Sequence, residues 1–321
     1  MTPGTTNNCT MKPALGGSTG GKASSGEVPD AREGSVDMAG TRGWIGDKVS
    51  VEWAPTASRT ANTARVTPYR TNCFPLPRPS CGMDLFDLTL PTPAENLALD
   101  EALLDAAEQS RHPRECLRLW EGDDPFVVLG RNSQVDREVD RQACHRQGIP
   151  ILRRTSGGCA VVAGRGCLMY ALVLSYDRRP ELRMLDEAHR FVMGTIARAL
   201  EPLAGEVAHR GTCDLTLGDL KFSGNSVRCR RRALLYHGTL LYDFPLPLVS
   251  HCLKTPPREP DYRRQREHAA FVTNLPLGVE PLRQALIAAW SAQPGTESWP
   301  KQRVAQLVAE QYCRADWNFR R

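Results

Sequence analysis

The segment from residue 153 to residue 162, which reads RRTSGGCAVV, constrains the fold of this chain more than any other. It lies between two apolar runs with strand character, residues 149–152 and 168–174. Paired glycines at a connection between strands let backbone N–H groups approach a ligand, because no Cβ stands in the way. The neighbouring arginine offers a planar, permanently charged fork for a carboxylate or a phosphate. The alternative is a tight hairpin with two solvated arginines.

Two further motifs follow this segment. Residues 214–225 read DLTLGDLKFSGN, and residues 236–241 read YHGTLL. With the Arg-Arg-x-Ser-Gly-Gly of the first segment, they resemble the catalytic domain shared by lipoate–protein ligases, octanoyltransferases and biotin–protein ligases. The resemblance extends over residues 84–277 and rests on the order and spacing of three motifs. It implies a mixed α/β domain, with a mixed central β-sheet flanked by helices. It also implies chemistry that activates a lipoyl or fatty-acyl carboxylate and transfers it to a carrier lysine.

Composition and charge exclude several classes of protein. The 321 residues carry a net charge of only +5, whereas a nucleic-acid-binding protein usually has a far stronger basic bias. A basic run at residues 228–232 is interpreted as a solvated face. No run of about 18 apolar residues occurs, so neither a membrane span nor a membrane partner is predicted. The eleven cysteines include no Cys-x-x-Cys pair, which argues against a disulfide framework and a zinc site and indicates the reducing cytoplasm.

Residues 1–82 differ in composition from the rest of the chain. They are rich in Gly, Ser, Thr and Pro and lack a sustained apolar period, which predicts a disordered leader. Met83 is the first residue of the first predicted strand, and it is also an alternative start of translation. Residues 1–82 are therefore either a translated leader or a segment upstream of the true start codon. Residues 83–321 are predicted to form the catalytic domain, with a core at 84–277 and helices after it. The additional C-terminal domain of the larger ligases has no counterpart here.

Local patterns predict the elements around these motifs. Thr92 and Glu95 form a capping box at the start of a helix that continues to about Gln109. The same helix places Asn96 and Asp100 four residues apart on one face, which is either a pair shared with the resembling family or a solvated face. The other predicted elements are strands at 85–90, 117–120 and 126–129, and helices at 138–147, 182–203, 281–292 and 300–313.

The resemblance also implies roles for individual residues. Lys221 matches the catalytic lysine, which holds the acyl carbonyl and, in ligases, the α-phosphate; a lysine that extends from a strand end into solvent is the alternative. Residues 223–225 shape the turn beside it. His237 belongs to the His-Gly strand, where a packed, hydrogen-bonded histidine is the other interpretation. The predicted substrate- and nucleotide-binding residues are Arg154, Ser156, Gly157, Gly158, Cys159, Ala160, Val161, Val162, Asp214, Ser223, Gly224, Asn225 and His237.

The chain departs from the pattern of the family at two places. Cys159 stands where the ligases commonly have a third glycine, and Ala163-Gly164 stands where they have a His-Asp pair. Cys159 is interpreted as a small packing residue rather than a nucleophile. Cys213 is a candidate acyl-accepting nucleophile because it directly precedes Asp214, and a nearby cation would favour its thiolate. It is out of register with the cysteines of both octanoyltransferase classes, which favours a packing role.

Together these features predict a lipoate–protein ligase-like enzyme that attaches lipoate or octanoate to a carrier lysine through an acyl-adenylate. Such a ligase requires ATP and Mg²⁺. The expected partners are the lipoyl domains of 2-oxoacid dehydrogenase complexes or the glycine cleavage carrier protein. Two alternatives stay open: octanoyl transfer from acyl carrier protein through a cysteine thioester, and a catalytically silent module that binds a lipoyl or acyl group. A biotin ligase is disfavoured because its Lys-Trp-Pro-Asn-Asp signature is absent.

Overall fold

A computed structural model describes residues 82–295 and 298–320 of the chain. All of these residues belong to one compact unit. The prediction of a disordered leader concerns residues that lie, apart from Gly82, outside the described ranges. Within those ranges, no helix combines the length and the apolar character that crossing a membrane requires.

The strands form two sheets. They are β1 (Met83–Asp87), β2 (Cys116–Trp120), β3 (Phe126–Leu129), β4 (Ile151–Arg153), β5 (Val161–Ala163), β6 (Cys167–Ser175), β7 (Val207–Arg210), β8 (Asp214–Leu217), β9 (Leu220–Cys229), β10 (Ala233–Leu241) and β11 (Ala292–Pro294). The larger sheet has the order β11-β1-β2-β6-β10-β9-β8-β7, and the smaller has the order β4-β3-β5. In the larger sheet β1 runs parallel to β2 and β11, and the other neighbours are antiparallel. The predicted mixed α/β fold is confirmed.

Eight α-helices occur in the described ranges. They are α1 (Pro93–Gln109), α2 (Val135–Glu138), α3 (Arg141–Arg146), α4 (Leu185–Ala204), α5 (Pro247–Cys252), α6 (Val279–Trp290), α7 (Lys301–Leu307) and α8 (Ala315–Asn318). A π-helical turn, Val308–Tyr312, continues α7. Shorter 3-10 turns cover Pro180–Arg183, Asp261–Arg263 and His268–Ala270.

Two apolar layers enclose the larger sheet. Helix α1 packs on one face against β6 and β10 and buries Leu97, Leu99 and Leu104. Helices α4 and α6 belong to the layer on the other face, where Val192 and Leu282 are buried. Since side chains alternate along a strand, β2, β6 and β10 contribute to both layers and are buried along their whole length. A polar side chain on these strands must therefore find its partners inside the protein.

The start of α1 follows the predicted capping box. Thr92 Oγ1 accepts a hydrogen bond from the Glu95 N–H at 3.2 Å, and Glu95 Oε2 accepts one from the Thr92 N–H at 2.9 Å. Pro93 occupies the first turn, where its missing N–H costs nothing. The predicted helix end at Gln109 is also confirmed.

Three other predicted boundaries are wrong. The first strand ends at Asp87 rather than at residue 90. The helix predicted for 138–147 begins at Arg141, because Asp140 caps it by accepting a hydrogen bond from the Ala143 N–H at 2.8 Å. Helix α4 begins at Leu185, and this leucine is 49% exposed instead of belonging to the buried face.

The interpretations that place polar side chains in solvent are also wrong. Arg153 and Arg154 are both buried, and β4 and β5 form no hairpin because β3 lies between them. Asn96 and Asp100 are 1% and 2% exposed. Within the basic run, Arg230 pairs with an acidic side chain of α1 and is only partly exposed.

Candidate active site

A cavity of about 400 Å³ is lined by residues of both sheets. One part of its wall comes from β9 and β10, a second from β5 and the residues that precede it, and a third from residues 254–272. Apolar side chains from α1, α5, β3, β6 and β10 complete it: Leu97, Val128, Met169, Leu241 and Val249. Its size lies in the range of about 300–1,000 Å³ that is usual for small-molecule pockets.

The structure brings most of the predicted site residues together in this wall. Thirteen of them line the cavity: Arg154, Gly158, Cys159, Ala160, Val161, Val162, Cys213, Asp214, Lys221, Ser223, Gly224, Asn225 and His237. Ser156 and Gly157 do not line it. Both are bonded to residues that do, because Ser156 Oγ contacts the His237 ring and the Gly157 carbonyl accepts from Arg154.

Lys221 is held at the cavity by its strand and by an ion pair. Its Nζ lies 2.7 Å from Asp214 Oδ1, and its side chain is 27% exposed, so it does not extend freely into solvent. A β-bulge sets this position, since Ser223 pairs with Leu215 and Lys221 with Thr216, which leaves one extra residue in β9.

Asp214 receives a second hydrogen bond from outside the sequence motifs. Tyr262 OH donates to Asp214 Oδ2 at 2.8 Å, while the other carboxylate oxygen binds Lys221. Burial and the Asp214 carboxylate raise the pKa of Tyr262, so the phenol remains a hydrogen-bond donor. The Lys221 backbone is tied to the same segment, because its N–H donates to the Phe271 carbonyl and its carbonyl accepts from the Thr273 N–H, both at 2.9 Å.

The Arg154 guanidinium forms hydrogen bonds to the turn that contains Gly157 and Gly158, which we call the glycine turn. Most of its N–H donors are therefore used within the protein. Its Nη2 donates to the carbonyls of Gly157 and Cys159 at 2.5 and 3.0 Å, its Nη1 donates to Val128, and its Nε donates to Ser156 Oγ. It forms no ion pair within the described part of the chain. Burial lowers its pKa to about 10. The expectation of a guanidinium free to clamp an anion is therefore wrong, although Arg154 still lines the cavity, where the Glu138 carboxylate acts on its charge.

The glycine turn is fixed by close backbone contacts. A Cβ on Gly130 would lie 1.8 Å from the Gly158 carbonyl oxygen, so only glycine fits at that position. Gly158 itself has a φ of 86°, which favours glycine. Glu138 supports the turn from the other side, because its Oε2 accepts from the Ala160 N–H at 2.7 Å and from Ser133 Oγ at 3.0 Å.

His237 belongs to a buried polar network. Its Nε2 lies 2.5 Å from Ser156 Oγ, and its Nδ1 lies 3.4 Å from Asp100 Oδ2. Asp100 accepts from Arg118, and Asn96 Oδ1 accepts from the same guanidinium. The connectivity is that of a Ser-His-Asp triad, but Ser156 is 1% exposed and cannot attack a substrate. The network therefore fixes the turn on the sheet.

Asn225 organises the residues around Cys213. Its Nδ2 donates to the Cys213 carbonyl at 2.7 Å and to Ser223 Oγ at 3.0 Å, while Oδ1 accepts from Tyr170 OH at 2.6 Å. Asn225 pairs with Gly238 across the sheet, and a Cβ on that glycine would lie 1.8 Å from Asn225 Oδ1. Glycine is thus required at position 238, because the Asn225 amide occupies the space that a Cβ at this position of β10 would need.

Comparison with known proteins places this site in a family. The family model described as the lipoyl protein ligase A/B catalytic domain matches residues 92–290. The chain belongs to this family. The predicted family is thereby confirmed.

Two relatives of this lipoyl ligase domain represent the two kinds of enzyme. A putative lipoate–protein ligase A of Aeropyrum pernix is 35% identical over 150 residues, which cover 47% of this chain and 54% of the relative. The octanoyltransferase LipM of Kyrpidia tusciae is 25% identical over 263 residues, which cover 71% of this chain and 95% of the relative. The chain thus spans only about half the length of the first relative but almost all of the second.

Two solved structures share the fold of the lipoyl ligase domain. One comes from the archaeal lipoylation system of Thermoplasma acidophilum, described as a bipartite lipoate protein ligase and its E2 lipoyl domain. It has a TM-score of 0.65 at 24% identity and covers 75% of this chain and 97% of its own. The other is a lipoate–protein ligase A bound with ATP, with a TM-score of 0.60 at 23% identity, covering 74% of this chain and 98% of its own.

The two cavity cysteines of this lipoyl ligase domain are both protonated thiols. Burial, followed by the Asp214 charge, raises the pKa of Cys213 to about 11, and the nearby Lys221 compensates only in part. Its Sγ donates to the Asn225 carbonyl at 2.8 Å. Lys221 favours the thiolate, as expected, but burial and the Asp214 charge outweigh it. Burial, followed by Glu138, raises the pKa of Cys159 as well, and this half-buried cysteine forms part of the cavity wall.

Sequence reasoning missed the third part of the wall. Residues 254–272 carry no motif, and their polar, basic composition indicated only a loop, yet Pro256, Arg258, His268 and Phe271 line the cavity. Glu138 was missed because it was placed in a helix without a role. No signal in a single sequence would have identified either. Within the described ranges, no group of three or more His, Cys, Asp or Glu residues could hold a metal ion.

Proposed function

We propose that the protein is a lipoate–protein ligase that attaches lipoate or octanoate to a lysine of a lipoyl carrier domain through an acyl-adenylate. The observation that carries the proposal is the position of Lys221, whose ammonium lies in the wall of a largely apolar cavity and is paired with Asp214 at 2.7 Å. A carboxylate with an apolar tail matches this combination of a fixed ammonium and a largely apolar lining.

The proposed reaction has two steps. An oxygen of the acyl carboxylate attacks the α-phosphorus of ATP and pyrophosphate leaves; the carrier lysine then attacks the acyl carbonyl and AMP leaves. Negative charge develops on the phosphate oxygens in the first step and on the carbonyl oxygen in the second. A cation fixed in a site that excludes water stabilises such charge more strongly than water does. Lys221 would serve both steps.

The glycine turn would bind the charged end of the substrates. Arg154 forms no ion pair in the described part of the chain, and its charge, offset in part by the nearby Glu138 carboxylate, would favour anions at this wall. Backbone N–H groups of the glycine turn other than that of Ala160, which Glu138 binds, would lie beside that charge, and the turn at residues 223–225 would position Lys221. Mg²⁺ would be held mainly by the phosphates of ATP, as is usual where a protein supplies few carboxylates.

The acceptors follow from the same proposal. Lipoyl domains of 2-oxoacid dehydrogenase complexes or the glycine cleavage carrier protein would present the lysine at the cavity. The neighbour from Thermoplasma acidophilum, by its description, was studied with an E2 lipoyl domain, which supports this class of acceptor. Cys116, Cys144, Cys167 and Cys252 are buried free cysteines, which fits a reducing cytoplasm.

One observation favours a second candidate, cysteine-dependent octanoyl transfer from acyl carrier protein. The chain covers 95% of the Kyrpidia tusciae LipM sequence, and two thiols, Cys159 and Cys213, line the cavity. The raised pKa of both thiols argues against it, because the thiolate is the attacking form.

An acylation assay separates these functions. The purified protein is incubated with an apo lipoyl domain and either octanoate with ATP and Mg²⁺ or octanoyl-acyl carrier protein, and the carrier is analysed by mass spectrometry. We expect acylation with octanoate and ATP, accompanied by release of pyrophosphate. Acylation only from acyl carrier protein would establish the second candidate. Binding of octanoate without acylation from either donor would identify a silent binding module.

A further inference from the structure

Four arginines from three separate chain segments lie together next to the glycine turn: Arg131, Arg228, Arg230 and Arg320. We call them the arginine cluster. Arg320 Nη2 donates to the Arg131 carbonyl at 2.5 Å, and the Arg131 N–H donates to the Ser156 carbonyl at 2.7 Å, so two members are tied to each other and to the turn. The charges of Arg131 and Arg230 both act on Arg228, after burial, in lowering its pKa.

The arginine cluster lies beside the cavity and follows Ser226, a residue of the cavity lining, along the chain. Ser226 and Arg228 lie on the same face of β9, because alternate residues of a strand share a face, and Arg230 directly follows the end of this strand. Ser226 lines the cavity, and its Oγ donates to the Gly157 carbonyl at 2.9 Å. The other members continue from this point away from the cavity, and none of the four lines it.

Arg228 lacks a partner for its most buried donor. Its Nε is shielded from solvent and donates to no acceptor in the described part of the chain. Buried N–H groups are otherwise almost always satisfied. A donor left without an acceptor, beside two other guanidinium groups, is the arrangement expected where an anion from another molecule completes the site.

The acidic residues near the cluster are already engaged. Glu101 accepts from Thr155, Gln311 and Tyr312 and lies 3.6 Å from Arg230, and Asp105 binds both Arg230 and Arg303. Arg131 and Arg228 therefore have no carboxylate of their own within the described ranges. The cluster keeps a net positive charge.

We propose that the arginine cluster is the docking surface for an acidic face of the acceptor carrier domain, a face that carries Asp and Glu side chains around the acceptor lysine. This proposal rests on the proposed function. A protein is favoured over a small anion because the members come from three chain segments, are partly exposed and lie outside the cavity, whereas small ligands bind in concave sites. Arginine is also the cation most favoured at protein interfaces.

Docking through charges has a kinetic signature. Complementary charges at the edge of an interface raise the association rate and make it depend on salt, while the chemical step remains unaffected. The cluster should thus lower the KM for the carrier without changing adenylate formation, which occurs before the carrier binds.

The test uses the full chain with Arg228→Gln, Arg228→Glu and Arg131→Glu, and with Arg198→Glu as a control. Arg198 is exposed on α4, which packs on the opposite face of the larger sheet. Octanoate-dependent exchange between pyrophosphate and ATP reports adenylate formation, and carrier acylation reports transfer. We expect the KM for the carrier to rise about tenfold in Arg228→Glu and less in Arg228→Gln, with weaker salt dependence. Exchange, melting temperature and the control should stay unchanged.

Two results would overturn the proposal. An unchanged KM for the carrier in both glutamate variants would show that the cluster does not dock it. Reduced exchange with a raised KM for ATP would show that the cluster binds nucleotide phosphates instead. Failure of the proposed function would be visible separately, because the wild-type protein would then acylate no carrier with octanoate and ATP.

Discussion

Lys221 Nζ and Asp214 Oδ1 lie 2.7 Å apart at the cavity, one from each of two neighbouring antiparallel strands. The Asp214 carboxylate neutralises the charge of Lys221 and fixes the position of its ammonium at the cavity wall. A substrate carboxylate or phosphate must compete with Asp214 for this cation. The ion pair therefore keeps Lys221 in place without satisfying all three of its donors.

Replacing Lys221 with alanine should abolish transfer and leave the fold intact. The loss should be about 10²–10³-fold in rate, which is typical for the removal of one group that stabilises developing charge. Lys301→Ala serves as the control, since this lysine lies on α7 outside the cavity lining. Near-normal turnover of Lys221→Ala, measured by carrier acylation, would show that another group holds the carbonyl.

Tyr262→Phe should lower the rate of transfer without removing it. The hydroxyl donates to Asp214 at 2.8 Å, and without it the carboxylate is free to rotate and to draw Lys221 out of position. A neutral hydrogen bond of this kind contributes about 0.5–1.5 kcal/mol. Tyr242→Phe removes a similar hydroxyl that donates to Glu121 at 2.8 Å outside the cavity lining. A lower kcat in Tyr262→Phe but not in Tyr242→Phe would confirm the role; equal effects would contradict it.

Gly238→Ala should destabilise the protein by about 1–3 kcal/mol, because overpacking forces shifts in a closely packed interior. The new Cβ would lie 1.8 Å from Asn225 Oδ1, and displacement of that amide would release the Cys213 carbonyl. Gly278→Ala is the matched control, since its Cβ would meet only a proline carbon at 3.8 Å. Thermal unfolding of both variants measures the difference. A Gly238→Ala protein as stable as the wild type would contradict the steric argument.

Deletion of residues 1–82 should change neither the melting temperature nor the activity. Their composition offers too little apolar patterning to form a packed core. The compared quantities are thermal unfolding and carrier acylation by the full chain and by residues 83–321. A clear drop in either would show that the leader packs on the domain and that the predicted boundary is wrong.

The sequence was sufficient to predict the fold class and the part of the cavity wall that carries the motifs, because both depend on local patterns. The capping box of α1 and the motif around Lys221 involve residues that are near one another in the chain, and thirteen predicted residues meet at one cavity. The roles of Glu138 and Tyr262 depend on contacts between distant segments. Tyr262, for example, is 48 residues from the Asp214 that it bonds. No spacing rule reports such a contact.

The effect of Lys221 on the Cys213 thiol is outweighed for a physical reason of the same kind. A lysine eight positions further along the chain suggested a stabilised thiolate. The fold instead buries the thiol beside the Asp214 carboxylate, and both effects raise its pKa, to about 11. Near neutral pH the sulfur is therefore a thiol that donates to the Asn225 carbonyl at 2.8 Å. Alkylation of Cys213 by iodoacetamide should accordingly be slow at pH 7 and accelerate as the pH approaches 11.

Cys213→Ser decides between the two mechanisms. In a ligase the acyl group is carried as an adenylate, so the serine costs only packing, on the order of 1 kcal/mol. In a transferase the sulfur carries the acyl group, and its loss stops the reaction whatever the donor. Because the pKa of Cys213 is raised to about 11, we expect the variant to remain active, to require ATP and to release pyrophosphate. Cys229→Ser, an exposed position, controls for the loss of a thiol. An inactive but folded Cys213→Ser protein, or an acyl adduct on Cys213 by mass spectrometry, would overturn the ligase mechanism.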